Sequence, residues 1–153
     1  MNVLLTGMAG FIGFHLARRL AERGDTVVGV DNLNAYYDVE LKHARLAELG
    51  IHAPEHGGEA ESSRYDGLRF LRRDIGEAEA MASLLADHRF DYVCHLAAQA
   101  GVRYSLDAPF EYVDANMRGF LSLLEAARGA PPKHFLYAST SSVYGLNRKL
   151  PFS

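Results

Sequence analysis

Thr6-Gly7-Met8-Ala9-Gly10-Phe11-Ile12-Gly13 carries three glycines at G-x-x-G-x-x-G spacing. The apolar run at 3–5 predicts a buried strand before it, and residues 14–23 predict an amphipathic helix after it. A glycine turn in this context lets a phosphate approach the backbone and aims the positive end of the helix at it. Glycine-rich turns can also simply reverse the chain, but the flanking strand and helix favour nucleotide binding.

Each glycine has a separate expected role in such a turn. Gly7 would form the tight bend, Gly10 would allow the phosphate to come close, and Gly13 would let the helix pack tightly on the strand.

Asp31 is the second candidate for cofactor binding. It ends the predicted strand 26–31, about 20 residues after the glycines, where a dinucleotide-binding unit carries an acid. Such an acid accepts hydrogen bonds from both hydroxyls of the adenine ribose and repels the extra phosphate of NADP. A helix cap or turn aspartate is the alternative reading. No arginine directly follows Asp31, so the sequence favours NAD over NADP.

Composition limits the class of protein. A chain of 153 residues that is 48% hydrophobic can bury one core, so we expect a single domain over 1–153. The net charge of −3 argues against a general nucleic-acid binder. The apolar runs are too short to cross a membrane, and Met1 leads directly into a strand, so no signal peptide is expected. The single cysteine, Cys94, is expected in the core. Together these features predict a soluble cytoplasmic protein.

Strands and helices alternate along the rest of the chain. Further strands are predicted at 68–72, 92–97 and 134–138, and helices at 39–49, 77–86 and 109–128. This predicts an α/β fold, a Rossmann-type doubly wound parallel sheet with strand order 3-2-1-4-5 and helices on both faces. The apolar residues of the last helix cover more than one face, and Phe110, Phe120 and Leu124 are candidates for contact with a partner. The full apolar set is Phe110, Val113, Met117, Phe120, Leu121, Leu124 and Ala127.

Two further stretches carry polar side chains that could bind a ligand. Lys42 and Arg45 on the helix 39–49 are expected to be solvated, although either could reach a ribose or a phosphate. The segment 50–67 is predicted to be an exposed loop or insertion. A metal site is the alternative for this segment, but no other ligand cluster supports one, so no metal is predicted. Its candidate ligands are His52, Glu55, His56 and Glu59.

Several stretches together resemble one family. They span nearly the whole chain apart from the polar insertion, and they read GMAGFIG, VDNLNAYYDVELKHARL, DI, HLAAQAGVRYS, NMRGFLSLLEAAR and YASTSSVYG. The chain resembles the N-terminal part of extended short-chain dehydrogenase/reductases, specifically NAD-dependent sugar-nucleotide epimerases and dehydratases. The second stretch and AGVRYS are most similar to UDP-glucuronate 4-epimerases.

The resemblance implies an NAD site and assigns residues to it by position. Ile75, Leu96 and Ala97 would suit a plain core equally well, and Asn116 a buried amide. From pyrophosphate through ribose and adenine to the nicotinamide end, the implied residues are Gly7, Gly10, Phe11, Ile12, Gly13, Asp31, Asn32, Asp74, Ile75, Leu96, Ala97, Ala98, Gln99 and Asn116.

The chemistry that the resemblance implies needs a Ser or Thr, a Tyr and a Lys. The tyrosine takes the proton of the sugar 4-hydroxyl while a hydride passes from carbon 4 to NAD, and the lysine lowers the pKa of the tyrosine. Thr140 matches the hydroxyl residue that orients the sugar oxygen. Ser141, Ser142 and Arg103 are candidates on the substrate side. The alternative for residues 140–142 is a plain turn at the end of a strand, and the alternative for Arg103 is an arginine on the surface without a role in binding.

The chain departs from the family pattern because it contains no Tyr-x-x-x-Lys. Arg148 stands four residues after Tyr144, and Lys149 is one place too late. We therefore expect the cofactor half of an enzyme that acts on UDP-glucuronate or UDP-galacturonate, without its Tyr-Lys helix and substrate domain. The whole protein is expected to be a homodimer.

Other functions remain open at this point. The chain could be a truncated, non-catalytic NAD-binding module or part of a related sugar-nucleotide dehydratase or epimerase. A flavodoxin-like regulator would leave the glycine turn, Asp31 and the Thr140 cluster unexplained together.

Overall fold

A computed structural model describes residues 1–152 of the chain; Ser153, the last residue of the predicted domain, lies outside the described residues. The strands form one sheet, in which the apolar runs found in the sequence are the buried central strands. They are β1 (Asn2–Thr6), β2 (Thr26–Asp31), β3 (Glu59–Glu61), β4 (Leu68–Arg72), β5 (Tyr92–His95) and β6 (His134–Tyr137).

The strand order is β3-β4-β2-β1-β5-β6. The five predicted strands are parallel and lie in the predicted 3-2-1-4-5 order, which confirms the Rossmann-type class. The antiparallel edge strand β3 was not predicted, because the segment 50–67 was expected to be a loop. Its sequence Glu-Ala-Glu has no apolar pattern. It pairs with the open edge of β4, where Arg69 lies 3.5 Å from Glu59 and 3.3 Å from Glu61.

Helices cover both faces of the sheet, as predicted. The longer ones are α1 (Phe11–Glu22), α2 (Val39–Glu48), α3 (Ala78–His88) and α6 (Phe120–Gly129). Shorter helical segments are α4 (Tyr104–Asp107), α5 (Pro109–Val113), a π-helical turn at Asp114–Gly119 and a 3-10 turn at Ser141–Tyr144. None of the helices within residues 1–152 has the length and apolar character needed to cross a bilayer.

Alternate side chains of the central strands supply the two cores. On β1, Leu5 packs in a core with residues of α1 and α2, whereas its neighbour Leu4 packs in a second core with residues of α3 and α6. This alternation follows from the two-residue period of a strand. Continuous apolar strands are therefore the expected sequence of a sheet that is covered on both faces.

Most of the large apolar residues predicted for the last helix are exposed, including Phe110 and Leu124, which were expected on the side of a partner. Phe110 is 83% exposed and Met117 is 66% exposed, and Val113, Leu121 and Leu124 are also exposed. The buried side instead presents small residues with one leucine, namely Gly119, Ser122, Leu123 and Ala126. The helix carries apolar residues on two sides, and the sheet takes the side with the smaller ones. Gly119 shows why, since a β-carbon there would lie 2.7 Å from Cγ1 of Ile75.

Stability should therefore distinguish two adjacent leucines of α6. Leu123 is fully buried and Leu124 is 41% exposed. We expect Leu123→Ala to lower the free energy of unfolding by about 2–5 kcal/mol, because it leaves a cavity. Leu124→Ala, the matched control, should change it by no more than about 0.5 kcal/mol. Urea unfolding measures both, and equal losses would contradict the observed orientation of the helix.

Candidate functional site

A cleft of about 360 Å³ opens at the carboxyl ends of β1, β2 and β5. The connection that follows β1 leads to β2 on one side of it, whereas β5 lies on the other side. The strand order thus reverses at β1, and ligands of open parallel sheets bind at such a point. An adjoining cavity of about 880 Å³ shares six lining residues with it, among them Asn32, Asp74 and Gln99. Every predicted cofactor residue except Asn116 lines the cleft: Gly7, Gly10, Phe11, Ile12, Gly13, Asp31, Asn32, Asp74, Ile75, Leu96, Ala97, Ala98 and Gln99.

The glycine turn forms one wall of the cleft and fits the pyrophosphate of a dinucleotide. Gly7 has a φ of +75°, which favours glycine, and its amide donates to the carbonyl of Val30 at 2.7 Å. A β-carbon on Gly13 would lie 2.0 Å from the carbonyl oxygen of Gly7, so only glycine lets α1 begin this close to β1. Gly10 precedes α1 and adds no capping side chain. The first amides of α1 have no carbonyl partner within the helix and are available to an anion.

Asp31 is buried at the tip of β2 and tied to the backbone around it. Its Oδ2 accepts a hydrogen bond from the amide of Ala9 at 3.2 Å, and its Oδ1 accepts one from Leu33 at 2.9 Å. Leu33 has a φ of +55°, a conformation uncommon for leucine. A carboxylate has about four acceptor positions, so Asp31 keeps capacity for two ribose hydroxyls.

Lys42 is buried, contrary to the expectation that it is solvated, whereas Arg45 is partly exposed. Lys42 is 6% exposed; its Nζ donates to Oδ1 of Asn34 at 2.9 Å and lies 3.6 Å from Oδ1 of Asp31. Arg45 donates to the carbonyl of Ala9 at 3.2 Å, and its guanidinium lies 5.9 Å from the ring centre of Phe11. The side of α2 that carries Lys42 and Arg45 thus faces the cofactor turn, whereas Leu41 on another side is 48% exposed.

At the other side of the cleft, Asn32 and Asp74 form a hydrogen-bonded corner. Nδ2 of Asn32 donates to Oδ2 of Asp74 at 2.7 Å, and Oδ1 of Asp74 accepts from the amide of Gly76 at 2.8 Å. Glu77 accepts from the amide of Asp74 at 2.9 Å and lies 3.2 Å from Nε2 of His56. Thus His56 of the polar segment contacts this corner. Among residues 1–152, no group of His, Cys, Asp and Glu is arranged to hold a metal ion.

Sequence reasoning did not identify the pair formed by Thr6 and His95. Oγ1 of Thr6 lies 2.7 Å from Nδ1 of His95, and it accepts hydrogen bonds from the amides of Leu96 and Ala97, both at 3.2 Å. Burial lowers the pKa of His95 from 6.5 to about 4, so the imidazole is neutral at pH 7. The pair fixes the start of the loop after β5. The available signal was two polar residues at the ends of two strands that pair in register.

Asn116 does not line the cleft but holds the loop that does. Its Oδ1 accepts from the amide of Gln99, and its Nδ2 donates to the carbonyl of Gln99, both at 2.9 Å. Asn116 lies in the π-helical turn, a distortion that often occurs at functional sites. It therefore positions Gln99 rather than facing the cofactor cleft.

The residues predicted for the substrate side lie outside the cleft. Arg103 is exposed beside α4, and Thr140, Ser141 and Ser142 are exposed after β6. Oγ1 of Thr140 caps the 3-10 turn by accepting from the amide of Ser142 at 3.3 Å. Ala138, two residues earlier, does line the cleft.

The sequence and the fold of this chain were compared with those of known proteins, and the comparison assigns the chain to a family. The profile of the NAD dependent epimerase/dehydratase family matches residues 3–153. UDP-glucuronate 4-epimerase 1 of Arabidopsis thaliana is 46% identical over 154 residues, which cover all of this chain and 33% of that protein. A probable UDP-glucuronate 4-epimerase of Rhizobium meliloti is 44% identical over 153 residues, again all of this chain and 41% of that protein.

A solved structure is also similar in both fold and sequence. The UDP-glucose-4-epimerase of Stenotrophomonas maltophila, with bound NAD and formylated UDP-arabinopyranose, matches with a TM-score of 0.73 and 33% identity. The match covers 99% of this chain and 40% of that one. The chain thus spans less than half the length of these relatives.

The buried imidazole of His95 should make stability depend on pH. The unfolded chain takes up a proton near pH 6.5, whereas the folded protein resists it down to about pH 4. Stability should therefore fall as the pH drops through this range, by at most about 3.5 kcal/mol at about 1.4 kcal/mol per pKa unit. We expect His95→Gln to flatten the pH dependence of the unfolding free energy between these values. The exposed control His134→Gln should keep the wild-type slope, and two identical slopes for the variants would refute the assignment.

Proposed function

This chain belongs to the NAD dependent epimerase/dehydratase family, and from that premise we propose that it is the cofactor-binding part of a sugar-nucleotide 4-epimerase. NAD is the cofactor of the family. We propose that residues 1–153 form the NAD-binding domain and that the whole protein converts UDP-glucuronate and UDP-galacturonate into each other. The relatives named UDP-glucuronate 4-epimerases support this choice of substrate, since they match along the entire chain.

The single observation that carries the proposal is the cleft, in which the glycine turn and a buried acid lie together. The amides of the first turn of α1 would bind the pyrophosphate. Asp31 would accept the ribose hydroxyls through the acceptor positions that Ala9 and Leu33 leave free. Asn32 and Asp74 would flank the adenine, and the loop that Asn116 holds through Gln99 would extend toward the nicotinamide.

The proposed chemistry divides between this chain and the rest of the protein. NAD, when bound, supplies an acceptor for the hydride of sugar carbon 4 and a donor for its return. Thr140 would orient the sugar oxygen by a hydrogen bond, with Ser141 and Ser142 beside it. A neutral hydroxyl cannot serve as the base, and a general base contributes about 10²–10⁴-fold in rate. The 153 residues contain no Tyr-x-x-x-Lys, so we propose that the chain on its own is inactive.

A non-catalytic NAD-binding module is the second candidate. The same cleft supports it. A related sugar-nucleotide dehydratase or epimerase would share the cofactor site and differ in the substrate. Binding and turnover therefore have to be measured separately.

The binding test uses two glycine substitutions. Calorimetric titration with NAD should give saturable binding, which Gly13→Ala should weaken at least about tenfold, because the new methyl group would displace the carbonyl of Gly7. Gly129→Ala is the matched control, since a β-carbon at that position has no neighbour within 4 Å. Equal affinities for the two variants would contradict the proposed pyrophosphate site.

The turnover test follows formation of UDP-galacturonate from UDP-glucuronate by chromatography. We expect the whole protein to catalyse the reaction and the 153-residue chain alone to show none. NAD binding without turnover by the whole protein would favour the module. Turnover by the chain alone would contradict the proposal that it is inactive without the rest of the protein, and would make Tyr144 the first candidate for the base.

Arg103 gives a prediction about substrate choice. It lies in the loop after β5, where we propose that its guanidinium pairs with the substrate carboxylate. Arg103→Ala in the whole protein should then raise KM for UDP-glucuronate about tenfold and leave KM for UDP-glucose unchanged. Arg128→Ala, which removes an exposed arginine of α6, serves as the control. A KM for UDP-glucuronate that does not change would remove Arg103 from the site.

We also propose that the whole protein is a homodimer and that the exposed apolar side of the helix 109–129 contributes to its interface. Phe110, Met117 and Leu121 are each more than half exposed on this helix. We expect Met117→Glu and Leu121→Glu together to convert the dimer to a monomer in analytical ultracentrifugation, because a charge is costly to bury. An unchanged dimer, or a monomeric wild-type protein, would contradict this interface.

A further inference from the structure

We propose that Lys42 is a specificity-determining residue of the cofactor site. Its ammonium is the counter-charge of Asp31. If a substitution removes the negative charge of Asp31, the same ammonium becomes a binding site for the 2′-phosphate of NADP. This inference rests on the proposed function, because it takes Asp31 as the acceptor of the ribose hydroxyls.

The geometry places the ammonium against the acid rather than in solvent. The side chains of Lys42 and Asp31 are each 8% exposed, and Nζ lies 3.6 Å from Oδ1. That separation is an ion pair but not a hydrogen bond. The hydrogen bond of Nζ goes to Asn34 at 2.9 Å. An ammonium carries three donors, and this one also lines the cleft, so it keeps capacity for a ligand.

The position of Lys42 is unfavourable for a lysine without an acid beside it. It lies in the first turns of α2, whose N-terminal end carries partial positive charge. Burial of an unpaired ammonium adds a further penalty. Asp31 offsets both costs in the observed structure. If the carboxylate is removed, the ammonium lacks a counter-charge at the position where the ribose hydroxyls are expected to bind.

The other cations that line or border the cleft are already engaged elsewhere. Nη1 of Arg73 lies 3.1 Å from Glu77, and its Nη2 donates to the carbonyl of Gly57. Arg45 donates to the carbonyl of Ala9. The backbone amide of Arg73 donates to the carbonyl of Asp31 at 3.2 Å, but among the described interactions neither guanidinium pairs with the Asp31 carboxylate. Lys42 is therefore the cation that responds to the charge of residue 31.

The test measures the Kd values of NAD and NADP by calorimetry in a set of variants. Wild-type protein should prefer NAD. Asp31→Asn should bind NADP at least about tenfold more tightly than the wild type does, since a charge-assisted contact with phosphate is gained. Asp31→Asn with Lys42→Met should lose that gain, and Asp31→Asn with Lys42→Arg should keep it. Added salt should reduce the gain.

Two further variants make the result decisive. Lys42→Met alone should widen the preference for NAD several-fold, because Asp31 then repels the 2′-phosphate without a counter-charge; this variant decides the matter if Asp31→Asn does not fold. Lys133→Met is the matched control, since it removes a lysine that pairs with Asp91 just before β6, at the opposite end of the sheet. It should leave the ratio of the two affinities unchanged.

The outcomes separate this inference from the proposed function. Equal NADP affinities for Asp31→Asn with and without Lys42→Met would overturn the role of Lys42 while leaving NAD binding intact. An unchanged preference in Lys42→Met alone would overturn it as well. Failure of the wild-type protein to bind NAD at all would refute the proposed function, and the inference with it.

Discussion

The contact between Gly7 and Gly13 is the constraint on which the site depends. The carbonyl oxygen of Gly7 lies only 2.0 Å from where a β-carbon on residue 13 would be, so α1 can begin close to β1 only without a side chain there. A β-carbon on Gly7 itself would lie 2.8 Å from the amide nitrogen of Ala97, which links the turn to the loop after β5. Backbone from β1, α1 and the end of β5 thus meets at one point and forms the cleft.

Asp31 connects this turn to the rest of the cofactor site. Its carboxylate accepts one hydrogen bond from the amide of Ala9 in the glycine turn and another from the amide of Leu33 in the loop after β2. Lys42 balances its charge from α2. The acid therefore has two roles in this account: it orders three segments in the free protein, and it presents acceptors to the ribose. Its placement explains why the first turns of α2 bury a lysine.

The fold and most of the cofactor cleft were predictable from the sequence, because both follow from local patterns. Buried parallel strands have continuous apolar runs, and the glycine spacing with Asp31 is a local signature. The errors arose where tertiary context decides. The sheet packs against the side of α6 that carries small residues and Leu123. Residues Glu59–Glu61 form a strand because they pair with the open edge of β4. The partner of His95 is 89 residues away, and those of Lys42 lie across the loop after β2, so periodicity reveals neither set.

The most direct test of the account is an amide NMR titration of the protein with NAD. The central claim is that the carboxyl ends of β1, β2 and β5 form the dinucleotide site. We expect the largest shift changes at Gly10, Phe11 and Ile12, followed by Asn32 and Ala97. Amides at the opposite edge of the sheet, such as Asp91 and Lys133, should not move. Changes confined to that opposite edge, or no saturable change at the glycine turn, would contradict the claim.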